Sequence, residues 1–360
     1  MKQEIQMKRL CVALAVALVA CFANQAHGQT PKKEEHLFYY VNTESAFKSL
    51  REHIDEITIL SPKAYDVDAK GTVWGTVNPR VIELVQRHGV KIIPLVKNMG
   101  FDQKLLHNLL SDSVAVGRML RNLVYICTQN KFAGIQFDFE DLNISDKNPF
   151  TSMCRRAAET LHQHGFTLSL AVVPRSEMSG GTTDYTAWIF ENWRAGYDLK
   201  KLASIVDFMS VMTYGEHTQL TTPGPAASLP WVRSVVDYFL KYVPADKLSL
   251  GIPLYSRLWY TAYDSSPSNV STKYAHSTAK TLDYGEVQGM LEQYKEKAHW
   301  DEKDGVNYAV FDDDGLFEYL YIDDAQSFAA GLGLVKEYNL RGFSAWVIGT
   351  EDPGIWEALK

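Results

Sequence analysis

Apolar residues along this chain keep switching between two spacings. One is the period of two of a strand; the other is the three-to-four spacing of an amphipathic helix. Leu37 to Val41 reads as a strand and Glu44 to His53 as a helix. Ile57 to Leu60 is a short apolar strand leading into a turn-rich hairpin from Asp66 to Thr76. Val81 to His88 predicts a helix stopped by Gly89, and Lys91 to Val96 a buried strand. One long helical region is expected from about Gln103 to Gln129. Gly134 to Glu140 alternates strictly and gives a fourth strand, followed by a helix from Phe150 to His164 that Gly165 stops. Thr167 to Val173 is a strand, Leu199 to Ser204 a helix, Val206 to Met212 a strand and Trp231 to Tyr242 a helix. Leu248 to Pro253 is a strand, Val335 to Tyr338 closes a helix, and Phe343 to Ile348 is the last strand.

Eight strands, all but the last clearly followed by a helix, predict a parallel α/β sheet that closes as a (β/α)8 TIM barrel. A doubly wound open sheet is the alternative, weakened because no Gly-rich turn follows the first strand. The rhythm breaks from about 260 to 321. There a polar loop over Asp264 to Ser271 precedes a helix near Tyr284 to Lys297. Two apolar runs then flank the turn Asp312-Asp313-Asp314-Gly315 and read as a hairpin. This predicts a small α+β insertion after the seventh strand, within a barrel spanning 33–360. The three aspartates lack the later ligands of a calcium loop and read as turn chemistry.

The start of the chain has a different logic. Met7-Lys8-Arg9 is positive and Leu10 to Ala23 is almost unbroken apolar sequence, too short for a comfortable membrane span. Residues 1–28 therefore read as an export signal, cut before Gln29, which predicts a periplasmic or extracellular protein. Leu18-Val19-Ala20-Cys21 also matches a lipobox, which would leave a lipidated Cys21. No later segment is apolar enough to span a bilayer.

At 46% hydrophobic and 22% charged, the 360 residues are ample for a large core, and a monomer is expected. A net charge of −7 argues against nucleic acid or an anionic membrane as partner. Beyond the leader only Cys127 and Cys154 remain, either bridged or as two buried thiols. With no Cys-x-x-Cys and no His-Glu-x-x-His, neither a metal nor another cofactor is expected. His162 and His164 read as surface residues of a helix.

The chemistry concentrates in Gly134-Ile135-Gln136-Phe137-Asp138-Phe139-Glu140. Ile135, Phe137 and Phe139 share the apolar face; Gln136, Asp138 and Glu140 share the other. In a parallel barrel, strand ends at the C-terminal face carry the reactive side chains. Two neighbouring carboxyls there resist ionising together, and burial raises them further, so Glu140 could stay protonated and serve as a general acid. Paired acids of this kind recur in glycoside hydrolysis. A buried, hydrogen-bonded pair with no substrate fits the same pattern.

Four ordered motifs extend the reading. Gly134-x-Gln136-x-Asp138-x-Glu140 resembles the Asp-Gly-x-Asp-x-Asp-x-Glu signature of glycoside hydrolase family 18. Met212-Thr213-Tyr214, Gly251-Ile252-Pro253-Leu254-Tyr255-Ser256-Arg257 and Gly342-Phe343-Ser344-Ala345-Trp346 resemble that family's sixth, seventh and eighth strands. Tyr214-x-Glu216-His217, Ser228-Leu229-Pro230-Trp231-Val232 and Trp346-x-x-Gly349-x-Glu351-Asp352-Pro353 are similar to its spore-germination and cortex-lytic branch. The resemblance implies a retaining β-N-acetylglucosaminidase in which the substrate's own acetamide attacks the anomeric carbon. It implies Glu140 as acid and base, Asp138 as organiser of the acetamide, and Tyr214 as donor to the acetamide oxygen. Trp346 would floor the sugar site, with Gln136, Met212, Tyr255, Arg257, Glu216 and Tyr40 as further contacts. The implied partner is an N-acetylglucosamine-containing polysaccharide: peptidoglycan first, chitin or an N-glycan as alternatives. A silent carbohydrate-binding barrel is the reading from another class. Ala133 and Gln136 replace the first two signature acids, Gly215 stands where the family has an Asp, and Ser256 replaces a Gly. None of these departures removes the acid.

Overall fold

The computed structural model describes residues 35–177, 181–218, 221–262, 276–313 and 315–360. The expected export signal, Cys21 and the polar loop over Asp264 to Ser271 lie outside the described residues. Seven strands come first: β1 (Glu35–Tyr40), β2 (Ile59–Val67), β3 (Leu95–Asn98), β4 (Gly134–Asp138), β5 (Thr167–Val172), β6 (Phe208–Val211) and β7 (Leu248–Pro253). Five follow in an inserted segment: β8 (Ser256–Ala262), β9 (His276–Leu282), β10 (His299–Asp301), β11 (Val306–Asp313) and β12 (Leu316–Ile322). The last is β13 (Gly342–Trp346). Strands β1 to β7 pair in parallel in chain order, and β13 pairs with both β7 and β1. The ring is closed with eight strands, so the open-sheet alternative falls away.

Helices α1 (Glu44–Glu52), α2 (Pro79–Arg87), α3 (Gln103–Ser111), α4 (Ser113–Asn130) and α5 (Lys147–Gln163) lie in the first half of the chain. Then come α6 (Asp184–Ile189), α7 (Leu199–Ile205), α8 (Leu229–Phe239), α9 (Tyr284–Tyr294) and α10 (Ala325–Glu337). The single helix expected over 103–129 is two. Asp112 accepts from the backbone N–H of Val114 and Ala115 at 2.8 and 3.1 Å, which caps a new helix and ends the old one. The strand expected over 91–96 is likewise interrupted: Lys91–Ile92 pairs with β2, and β3 begins only after Pro94. Helix α6 had no counterpart in the sequence reading. Thr183 and Thr186 bond reciprocally at its start, and it runs on into a wider turn over Phe190–Arg194.

The insertion begins at Ser256, earlier than the expected 260. It is a five-stranded antiparallel sheet in the order β9-β8-β12-β11-β10, with its own core of Leu258, Leu282, Val287, Phe311 and Leu320. The Asp-Gly turn closes β11 onto β12; Gly315 has φ 82° and donates its N–H to Asp312 Oδ1 at 2.6 Å.

The barrel interior holds two kinds of side chain. Leu37, Ile59, Ile93, Leu95 and Phe208 form an apolar plug. Beside it stand Ser61, Gln136, Ser169, Ser210, Ser249 and Ser344, each 2% exposed or less. Ser344 Oγ lies 2.8 Å from Ser210 Oγ and 2.6 Å from Ser249 Oγ. Cys127 and Cys154 are free and buried, and burial pushes both thiols up, Cys127 to about 12. Among the described residues no helix is long and apolar enough to cross a membrane.

Candidate active site

Strand pairing on β4 stops at Asp138, two residues short of the expected Glu140. Beyond it, side chains take over the backbone hydrogen bonds. Asn98, fully buried at the end of β3, accepts from Glu140 N–H through Oδ1 and donates from Nδ2 to the Glu140 carbonyl, both at 3.1 Å. Tyr197 Oη donates to the Phe139 carbonyl at 2.5 Å. Asp141 then turns into the left-handed region, φ 53°, and its carbonyl accepts from Gln103 Nε2 at 3.0 Å. The acid is thus fixed by its own backbone before its side chain touches anything.

Asp138 is 5% exposed and Glu140 partly buried. Burial and then the charge of Asp138 push Glu140 up to about 8. Trp193 Nε1–H, donating to Glu140 Oε2 at 3.2 Å, opposes that rise, as does Lys63. Burial raises Asp138 to about 6 against the pull of Lys63 and Lys97. Because the two carboxyls interact, these values belong to the pair. Both carboxyls are thus held above the ordinary carboxylate range, Glu140 further than Asp138.

The cations come from neighbouring strands. Asp66, Lys97 and Asp138 are register partners across β2, β3 and β4, so they form one row on the inward face. Lys97 Nζ is ion-paired with Asp66. Lys63 Nζ lies 5.6 Å from the centroid of the Trp346 ring.

Trp346 closes β13, and its peptide bond to Val347 is cis. Its ring lies 6.3 Å from that of Tyr214, inclined at 25°, and 5.3 Å from that of Tyr39. Tyr255 Oη donates to the Tyr214 carbonyl, and Thr213 Oγ1 donates to the Gly251 carbonyl at 2.7 Å. A Cβ on Gly251 would fall 2.4 Å from the Val211 carbonyl oxygen and 2.9 Å from the Tyr214 ring. The close approach that packs Tyr214 against β7 needs a glycine there.

The other expected contacts are distributed as follows. Gln136 points inward, but its Nε2 donates to Ser210 Oγ at 3.2 Å rather than to Asp138. Gln136 Oε1 and Asp138 Oδ1 have no hydrogen-bond partner among the described residues. Met212 follows β6, partly buried against the core. Glu216 Oε2 accepts from Ser228 N–H at 2.7 Å, and Arg257 Nη1 donates to Thr281 Oγ1 at 2.7 Å. Tyr255 is buried, with its ring 5.0 Å from the Arg257 guanidinium. Glu216 and Arg257 line a cleft of about 890 Å³ together with Asp141, Trp193 and Gly215. Glu140 and Trp346 are both outside its lining; Asp141 and Trp193, the chain neighbour and the hydrogen-bond donor of Glu140, belong to it. A Cβ on Gly215 would meet nothing within 4 Å, so the missing side chain leaves open room.

Tyr40 is misplaced by the sequence reading. Its hydroxyl reaches Asn42 at 3.4 Å and its ring packs into the core shared with the helices. The inward tyrosine is Tyr39, one residue earlier, whose hydroxyl sits fully buried near Ser210, Ser344 and Tyr214 without a well-aligned bond. In a strand a shift of one residue reverses the face. Alternation puts Tyr39 on the face of Leu37 and Tyr40 on the other, without saying which face turns inward. Asn98, Lys63, Lys97, Trp193 and Tyr197 were also missed. The lysines fall beyond the strands expected at 57–60 and 91–96, and no local pattern marked them.

A sequence model of the glycosyl hydrolases of family 18 matches residues 21–351. The "Uncharacterized glycosylase YvbX" of Bacillus subtilis (strain 168) is 20% identical over 359 residues, covering 98% of each chain. The "Cortical fragment-lytic enzyme" of the same organism is 25% identical over 321 residues, covering 88% of this chain and 70% of its own. Among solved structures, a chitinase from Chromobacterium violaceum ATCC 12472 superimposes with a TM-score of 0.78 at 24% identity, covering 91% of this chain and 98% of its own.

Proposed function

The chain belongs to the glycosyl hydrolases of family 18, and from that premise we propose that it cleaves β-1,4 linkages of N-acetylglucosamine-containing glycans with retention, peptidoglycan being favoured over chitin. The observation that carries this reading is the placement of Asp138 and Glu140 at the end of β4, with Lys97 opposite Asp138 and Trp193 Nε1–H on Glu140 Oε2, where burial and the neighbouring charge push Glu140 up. Glu140 gives a proton to the leaving glycosidic oxygen as the C1–O bond breaks. The substrate's acetamide oxygen forms a bond to C1 from the opposite face, so no protein nucleophile is needed. Asp138 accepts from the acetamide N–H and balances the positive charge that develops on the oxazolinium ring. Tyr214 donates to the acetamide oxygen, and Trp346 offers an apolar floor for the ring. Glu140, now ionised, takes a proton from water as that water attacks C1 and reopens the ring. The similarity to a cortical fragment-lytic enzyme supports peptidoglycan. The positive segment and apolar run at 7–23 support export to where such a glycan lies.

Glu140→Gln removes the proton donor and keeps the shape. Turnover should fall by about 10²–10⁴-fold, while oligosaccharide binding measured by calorimetry stays close to wild type. Wild-type-like turnover would sink the assignment. Product analysis on purified peptidoglycan and chitin oligomers in parallel separates the two substrates. Binding without products from either would leave a carbohydrate-binding barrel.

A further inference from the structure

We propose that Lys63 reads a carboxylate on the glycan, so that the site selects chains in which N-acetylglucosamine is joined to an acidic sugar. The inference rests on the glycosidase reading above and narrows its substrate class.

Lys63 is placed by the strand that carries it. Ile59, Ser61 and Lys63 alternate along the inward face of β2, and register with β3 shifts between Lys63 and Tyr65. The bulge at that point adds one residue, so that Asp66 rather than Tyr65 takes the next inward position after Lys63. The side chain is exposed, with Nζ 5.6 Å from the Trp346 centroid. Among the described residues no carboxylate lies within ion-pair distance of it. Lys97 on the next strand is the contrast, since Asp66 neutralises it. Among the described residues the mouth therefore holds two lysines, one ion-paired with Asp66 and one that acts on Asp138 and Glu140 only at longer range.

A sugar laid on Trp346 would strip water from the Lys63 ammonium, which lies over the same ring. A neutral glycan returns only hydroxyl contacts to a compact, strongly hydrated cation, which leaves part of the desolvation cost unmet. A carboxylate on the stacked sugar or its neighbour returns a charge-assisted hydrogen bond, about twice as strong as a neutral one. The Asp138 carboxylate would repel such a group, and Lys63, which already acts on Asp138, stands where it can offset it. The acid could be the O-lactyl ether of a muramic residue or the C6 carboxyl of a uronic residue; the chemistry is the same.

The test compares wild type and Lys63→Met on four substrates. These are chitin tetramer, uncross-linked glycan strands of alternating N-acetylglucosamine and muramic residues, the same strands with lactyl carboxyls converted to amides, and hyaluronan oligomers. Wild type should favour the acid strands over their amides by about tenfold in kcat/KM, or favour hyaluronan over chitin by a like factor if a uronate is read. That preference should shrink with added salt and approach unity in Lys63→Met. Equal rates on acid and neutral glycans in wild type would overturn the proposal, as would a preference that survives in the variant. Hydrolysis of none of the four would instead fell the glycosidase reading itself.

Discussion

Lys97→Met perturbs the charge row of Asp66, Lys97 and Asp138 at its centre. Neighbouring strands run about 4.8 Å apart, so the ammonium and the Asp138 carboxylate sit roughly 6 Å from each other. At an effective dielectric of about 20 that attraction is about 3 kcal/mol, or about two pH units; solvent at the mouth reduces it to about one. A cation favours the ionised carboxyl, so its loss raises Asp138 above the value of about 6 that burial already imposes. If turnover needs Asp138 ionised and Glu140 protonated, the acid limb of the kcat/KM profile should move up by about one unit. The alkaline limb belongs to Glu140, on which Lys63 rather than Lys97 acts, and should hold its position. The profile narrows from the acid side. Asp66→Asn with Lys97→Met removes the opposing anion too, so its acid limb should fall between wild type and the single variant. Stability follows the same linkage: a carboxyl raised in the folded state binds its proton more tightly there, so its contribution is lost as pH rises through the folded value. The single variant should accordingly melt lower at pH 8 than wild type and converge with it at pH 4, by calorimetry. A stationary acid limb, or a double variant shifted further than the single, would refute the electrostatic argument.

Asn98→Ala should cost about 2 kcal/mol or more by leaving the Glu140 N–H and carbonyl unpaired. Its kcat should drop about 10–100-fold with KM little changed, because the acid is displaced rather than the sugar floor; an unchanged kcat counts against the backbone clamp. Gly251→Ala should destabilise by about 1–3 kcal/mol in denaturant titrations and raise KM, since its Cβ meets Val211 and Tyr214; wild-type values for both would refute the close approach. Cys127 and Cys154 should resist alkylation in the folded protein and both label on unfolding without reductant. A mass two protons lighter, with neither labelled, would mean a disulfide.

Elements with an unambiguous period were legible in the sequence. The run from Gly134 to Glu140 alternates without interruption, and Leu248 to Pro253 is bounded as read. What escaped depended on partners distant in the chain. Glu140 leaves the strand because Asn98, 42 residues earlier, replaces its ladder bonds. The inward face of β1 belongs to Tyr39 rather than Tyr40 because barrel closure, not local hydrophobicity, chooses between two tyrosines of equal polarity. Lys63 and Lys97 fall beyond the strand ends expected at Leu60 and Val96, and only the ring of strands brings their charges to bear on Asp138. Helix α6 and the turn that carries Trp193 are short, and a helix of that length is held by its packing more than by its propensity. In the insertion, β8 follows β7 after two residues and resembles its continuation; nothing local announces the change of sheet.

The hydroxyls inside the barrel give the carboxyl pair something a rigid apolar plug would not. Ser210, Ser344 and Ser249 touch in series, and either oxygen of each contact can be the donor. Gln136 joins the chain at Ser210. Each hydroxyl hydrogen can swing between neighbours while every heavy atom stays in place. If Glu140 gives up and regains a proton as proposed, these dipoles can turn to follow the charge, as bulk water would. The barrel thus carries a small, tethered solvent of its own, polarisable in orientation and fixed in position.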